Sequence, residues 1–205
     1  MAAALKLSSL PEAQRAVWPQ LGGIPGAFVL FGGTALALRL GHRLSEDFDL
    51  FTVQHFVPGD LRRRHALLQN GKLLQAESNV LTVLVERPEG LVKISLMGGL
   101  DFVANAKPDH EASWPIPIAS LDDLAATEFK VLADRAEIKD YLDVHALLGR
   151  GYSVNDLSAQ ATRLFGEGFN PWPSVKAMHY FDDGNLAELS DPIKKELSHA
   201  TTQFK

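Results

Sequence analysis

FVLFGGTALALRLGHRLSEDFDLF, Phe28 to Phe51, decides how the chain is read. The run Ala27 to Phe31 is short, aromatic and β-branched and stops at Gly32-Gly33, which predicts a buried strand ending in a sharp turn. Glycines there let the backbone bend and approach a ligand closely. Thr34 to Leu40 reads as a helix opening directly after the turn, so its free N–H groups and positive dipole end lie beside the glycines and suit a phosphate. After Gly41 the chain returns through His42, Arg43 and Ser45 into Asp47-Phe48-Asp49-Leu50-Phe51. The alternation of a strand puts both carboxylates on one face and Phe48 and Leu50 on the other. Two acids on one face repel, and a hard divalent cation, Mg2+ or Mn2+, answers that repulsion. Glycines for a triphosphate next to carboxylates for its metal make a candidate nucleotide site.

The arrangement resembles the nucleotidyltransferase superfamily, whose pattern is a strand, Gly-Gly or Gly-Ser, a helical turn and then Asp-x-Asp. It resembles more closely the bacterial nucleotidyltransferase-like toxins of the abortive-infection AbiEii/AbiGii type. Three further stretches carry the likeness: SLDDL from Ser120 to Leu124, DLAATEFKVLADRAEIKDYLDVHALL from Asp123 to Leu148, and AMHYFDD from Ala177 to Asp183. The resemblance implies an α+β, mixed α/β fold: a small mixed sheet flanked by helices over residues 1–110, then a helical C-terminal part, 111–205, packed as one unit with the core. The implied activity is Mg-dependent transfer of a nucleoside monophosphate from an NTP to a hydroxyl of RNA, tRNA included, or of protein. A cognate antitoxin protein is the implied partner. On the same resemblance Asp47 and Asp49 hold the metal and, with Asp140, are catalytic, while Gly32, Gly33, Thr34, Arg43, Ser45, Lys139 and Asp143 contact the nucleotide.

Two positions depart from the family's pattern. In Leu91-Val92-Lys93-Ile94-Ser95-Leu96 the alternation places Leu91, Lys93 and Ser95 on one face, and Ser95 stands where the family has a third metal-binding carboxylate. A neutral hydroxyl is a poor magnesium ligand and removes the usual base for an attacking hydroxyl. Asp101, six residues on, is one replacement. Glu128 stands where the family has a phosphate-contacting lysine, and Lys130, two residues along the helix, points away from that position. Glu128 either pairs with a base such as Arg135 or Lys139 or supplies the missing carboxylate. Asp140 and Asp143 share a helix face and either line the site or pair with Arg135 and Lys139 to tie two helices together. Two functions therefore stand side by side: an active transferase, and a catalytically degenerate module that keeps the fold for binding or regulation. A metal-dependent hydrolase built on the same acids lacks the histidines such sites use.

Composition bounds the rest. With 205 residues, 46% apolar and 22% charged, the chain is long enough for a sizeable core and ordinary for a soluble protein. It has no cysteine, which excludes disulfides and thiolate metal sites and suits the cytoplasm. No apolar run reaches membrane-spanning length and no signal peptide is evident, so no membrane partner is expected. A net charge of −5 argues against a general nucleic-acid coat.

Outside the central motif, 5–20 reads as an amphipathic helix started by Pro11, and Leu61 to Asn70 as another, carrying Arg62, Arg63, Arg64 and His65 as a solvated surface or a basic rim. Three strands follow, over Leu73 to Ala76, Val80 to Glu86 and Leu91 to Met97, with a hairpin turn at Arg87 to Gly90. Lys107 to Pro117 reads as a loop leading out of the sheet. Ser120 and Asp123 form a helix-start pattern, which makes Asp123 a cap rather than a catalytic acid. His145 reads as a helix-face residue, and Val154 to Phe165, Trp172 to Phe181 and Leu186 to Leu197 as helices.

Overall fold

The computed structural model describes residues 4–204, and the chain divides into two units between Ser120 and Leu121. The first unit is built on one five-stranded mixed sheet in the order β1-β2-β5-β4-β3. Its strands are β1 (Val29–Phe31), β2 (Asp47–Phe51), β3 (Lys72–Glu77), β4 (Val80–Arg87) and β5 (Gly90–Met97). β2 runs parallel to β5 and antiparallel to β1, while β4 is antiparallel to both β3 and β5. Mixed pairing follows from the connections: tight turns join β3, β4 and β5, but two short helices and the strands β3 and β4 separate β2 from its parallel partner.

One sheet face is the core. Phe48 and Leu50 of β2, Leu81, Val83 and Val85 of β4, and Val92, Ile94 and Leu96 of β5 are all buried. Helix α1 (Glu12–Val17), the 3-10 turn Trp18–Leu21 and the Trp18 ring, stacked on Phe48 at 6.1 Å, belong to this layer. On the other face the same strands carry Asp47, Asp49, Lys93, Ser95, Thr82 and Leu84. The alternation that buries one side thus sets out the polar groups of the other.

Helix α2 (Gly32–Leu40) begins at the glycine pair itself, two residues before the expected start at Thr34, and ends at Gly41 in the left-handed region. The expected helix over 5–20 is broken into the turn Leu7–Ser9, α1 and the turn Trp18–Leu21, because Pro19 has no N–H to continue an α-helix. The helix expected over Leu61 to Asn70 is two short ones, α3 (Pro58–Arg63) and α4 (Ala66–Asn70), hinged where His65 is extended. Arg62 explains the bend, since its guanidinium donates to the carbonyls of Leu68, Gln69 and Gly71 and so closes the end of α4. Arg62 is thereby a structural cap and not part of a basic rim. The Pro-rich segment after Lys107 returns to the sheet: Leu30 N–H donates to Pro117 O at 2.9 Å, Ala119 N–H donates to Leu30 O at 2.9 Å, and Arg39 grips Asp109 at 2.8 Å.

The second unit is helical: α5 (Leu121–Val131), α6 (Ile138–Gly149), α7 (Val154–Phe165), α8 (Trp172–Ala177) and α9 (Asp191–Ala200). Its core includes Leu124, Phe129, Tyr141, Val144, Leu147, Leu157 and Leu164. α7 opens with a capping box in which Ser153 and Asp156 satisfy each other's backbone N–H groups. α8 stops short of Phe181, and the stretch expected as a helix from Leu186 is a 3-10 turn followed by α9, which starts with Pro192 in its first turn. Among the described residues no helix is long and apolar enough to cross a membrane. A five-stranded mixed sheet with helices, followed by a helical unit, is the mixed α/β architecture expected from the sequence.

Candidate active site

The β1-α2-β2 unit brings the glycine turn and the acid pair together. Gly32 has φ +69°, which disfavours any residue with a Cβ, and a Cβ built there would lie 3.1 Å from Asp49 Oδ2. The backbone conformation favours glycine, and any side chain placed there would press on the second acid. Phe31 opposes Asp49 across the β1–β2 ladder, and its ring, buried on Phe51 at 5.2 Å, fixes that rung. Gly32, Gly33 and Thr34 are the first three residues of α2, whose opening N–H groups have no intrahelical acceptor.

Thr34 and Ser45 lie in the same place but are almost completely buried. The Thr34 hydroxyl is bonded to Ser45 Oγ at 2.7 Å and to the carbonyl of Asp47. A hydroxyl has one proton and a carbonyl only accepts, so Thr34 donates to Asp47 O and accepts from Ser45. Gln14 donates to the adjacent Glu46 carbonyl from α1. These side chains fasten the start of β2 to its neighbours and fix where Asp47 and Asp49 emerge. Arg43, half-buried in the connection, donates to Leu44 O at 3.0 Å.

Asp47 and Asp49 are half-buried on one face, as the alternation predicts, and β5 runs beside them in register: Asp47 opposite Lys93, Asp49 opposite Ser95. Lys93 Nζ lies 2.9 Å from Asp47 Oδ2, with the two side chains 41% and 34% exposed. Ser95, almost fully buried, occupies the rung beside Asp49 with a hydroxyl. Asp101 is exposed in the 3-10 turn Asp101–Asn105. The donors suit a hard divalent cation: carboxylate oxygens on a partly open face, with an ammonium already standing as the cation on one of them.

The remaining acids lie in the helical unit. Glu128 of α5 and Asp140 and Asp143 of α6 are buried, and one carboxylate oxygen from each lies within 4.8 Å of the others. Asp140 accepts from Arg135 Nε at 2.8 Å and Nη2 at 2.9 Å, a two-pronged pair across the turn joining α5 to α6. The Arg135 guanidinium is held well above its ordinary range, chiefly by that hydrogen bond and further by the charges of Asp140, Glu137 and Glu128, against the cost of its burial. Lys139 turns to Glu137 at 3.0 Å. Asp123 is fully buried and paired with Arg163 of α7, which gives it a structural duty between α5 and α7. His145 pairs with Glu196 of α9 at 2.7 Å.

Two features escaped sequence reasoning. Lys93 was visible as a neighbour of Ser95 on one strand face, but its pairing with Asp47 depends on a parallel register that no local pattern carries. Glu128 was legible as an acid needing a partner, yet its convergence with both α6 acids depends on the path of the turn after α5.

A curated protein from Aquifex aeolicus (strain VF5), uncharacterized protein aq_aa25, is 28% identical over 172 residues, covering 82% of this chain and 81% of that protein. The crystal structure of an antigenic nucleotidyltransferase-like protein from Paracoccidioides brasiliensis aligns at 15% identity with a TM-score of 0.44, over 73% of this chain and 84% of that one. The model of the family described as "Nucleotidyl transferase AbiEii toxin, Type IV TA system" matches residues 23–201, from before the glycine turn to the last helix, and the chain belongs to that family.

Proposed function

We propose that this protein transfers a nucleoside monophosphate from an NTP to a hydroxyl of RNA, tRNA included, or of protein, with pyrophosphate leaving. The observation that carries the reading is the contact between the two halves of the motif: Asp49 lies against Gly32 at the opening of a nine-residue helix, and Asp47 shares its half-open face. The main-chain N–H groups of Gly32, Gly33 and Thr34 bind and orient the β- and γ-phosphates. Asp47 and Asp49 would hold Mg2+ or Mn2+, which when bound neutralises charge on the triphosphate and at the α-phosphorus. Thr34 and Ser45 act through their mutual hydrogen bond, keeping the helix start and the acid strand at a fixed separation. Arg43 adds positive charge in the connection. In the helical unit, the resemblance supports Asp140 as a catalytic carboxylate and Lys139 and Asp143 as nucleotide contacts. The buried cluster of Glu128, Asp140 and Asp143 is a second set of oxygen donors chemically suited to a divalent cation. The toxin–antitoxin description of the family supports a cognate antitoxin protein as partner.

A second reading, a degenerate module that retains nucleotide binding or only the fold, is favoured by β5, where Lys93 and Ser95 stand beside the acid pair and offer no third carboxylate.

One experiment separates them. NTP binding is titrated with and without Mg2+ for the wild type and for the Asp47→Ala, Asp49→Ala double variant, and label transfer from each α-labelled NTP to RNA and to protein is then followed. The transferase reading expects Mg-dependent binding that weakens about a hundredfold or more in the double variant, as loss of charge-assisted ligands implies, and labelled RNA or protein with one preferred NTP. Binding without transfer to RNA or protein would leave the module, and no Mg-dependent binding would remove both nucleotide readings.

A further inference from the structure

We infer that Lys93 is the triphosphate-binding cation of this protein, held on Asp47 until metal and nucleotide arrive; the inference rests on the transferase reading above. Lys93 and Asp47 are register partners on β2 and β5, so their backbones are fixed side by side, and Ile94, fully buried on the opposite face, anchors that stretch of β5. The side chain itself is not fixed. Nζ lies 2.9 Å from Asp47 Oδ2, but both groups are more than a third exposed. Such pairs contribute only about 0–1 kcal/mol, so giving one up is inexpensive.

A divalent cation on Asp47 repels the ammonium from the same oxygen. Lys93 must then find another anion within the sweep of its flexible four-carbon stem, and it sweeps over the face shared with Asp47, Asp49 and Ser95. A metal-bound triphosphate beside those acids keeps excess negative charge. A compact ammonium with three donors is a suitable counter-ion for its oxygens. Ser95, the other β5 residue beside the acid pair, brings a hydroxyl and no charge. Lys93 thus exchanges one anionic partner for another, and the resting ion pair keeps Asp47 neutralised and oriented before the nucleotide is bound.

The exchange has a signature of opposite signs. Lys93→Met removes the competitor for Asp47, so Mn2+ alone, followed by water-proton relaxation, is expected to bind about two- to fivefold more tightly than in the wild type, the scale of a surface ion pair. At saturating Mn2+ the same variant is expected to bind NTP about ten- to a hundredfold more weakly, the scale of one charge-assisted hydrogen bond. Lys93→Arg is expected to recover most of that loss, since it restores the charge. Thermal melts of each variant report whether the sheet is intact. NTP affinity within twofold of wild type in a folded Lys93→Met overturns the inference alone, as does joint weakening of metal and nucleotide with a lowered Tm, the mark of a purely structural pair. A wild type whose NTP binding ignores Asp47 and Asp49 overturns the transferase reading and this inference together.

Discussion

The two groups of acids in this chain live under opposite conditions. Asp47 and Asp49 stand half-buried on a sheet face, one of them against a lysine whose ammonium is itself well exposed. Glu128, Asp140 and Asp143 are buried within a helical unit, and Asp140, 2% exposed, is clamped by Nε and Nη2 of Arg135. Exposed carboxylates exchange partners at little cost, whereas a buried one must keep a partner or forfeit its solvation. The same residue type therefore sits in a loose, exchangeable ion pair in one unit and in a clamped one in the other. Removing the first kind should cost binding and leave stability within about 1 kcal/mol; removing the second should cost stability.

The strongest way to break this contrast is Asp140→Asn. It keeps the shape but cancels the charge that Arg135 grips, and a hydrogen bond to a charged group contributes about 1.5–3 kcal/mol. Because Arg135 is 46% exposed and regains water when released, we expect the lower part of that range, about 2 kcal/mol. At this chain length that lowers Tm by roughly 4–8 °C, read by circular dichroism. A melt unchanged by Asp140→Asn would show that the buried pair is no fastening.

A smaller effect is expected from Gly32→Ala, which tests whether the glycine turn and the acid pair act together. The left-handed backbone costs a Cβ-bearing residue about 1–2 kcal/mol. The new methyl also presses on Asp49 Oδ2 from 3.1 Å, so the carboxylate must shift by a few tenths of an ångström. We expect Mn2+ affinity to fall as well, by a larger factor than in Gly33→Ala, whose glycine has no positive φ. Equal metal binding in the two variants would separate the turn from the acids.

These pairs also mark what can be read from sequence. The strand Asp47 to Phe51 and its two faces are legible because alternation is local, and the mixed α/β class follows from the family resemblance that the glycine turn and the acid strand carry. The first helix ends sooner than its apolar spacing implies, because that spacing continues through Pro19 while the hydrogen-bond ladder does not. The split at His65 has no local signal, because its cause, Arg62 reaching three carbonyls beyond the bend, is a tertiary contact. In the candidate site, Gly32 and Asp49 were each visible, but that they touch is a product of the β1–β2 register. Lys93 shows the general limit: parallel pairing joins residues far apart in the chain, and no window of sequence contains both.

The finest test of the helical acids uses Tyr141, which follows Asp140 on α6 and is buried, its hydroxyl donating to Ala177 O at 3.3 Å. Its phenol is pushed up to about 12, first by burial and then by the charges of Asp140 and Asp183. An ordinary tyrosine ionises near 10. Between about pH 10 and 12 the folded chain therefore holds a proton that the unfolded chain has released, so this contribution to stability is complete below 10 and is lost as pH rises through the folded value. Phenolate absorbance should show a late phase from Tyr141, and Tyr141→Phe should abolish that phase and flatten the alkaline fall in stability relative to wild type. In Asp140→Asn the late phase should move toward ordinary values without reaching them, because the neighbouring charge is gone while the burial is kept. A late phase unmoved by Asp140→Asn would mean that the Asp140 charge is spent wholly on Arg135; one that collapses to an ordinary tyrosine would mean that the pair also keeps the unit closed over the ring.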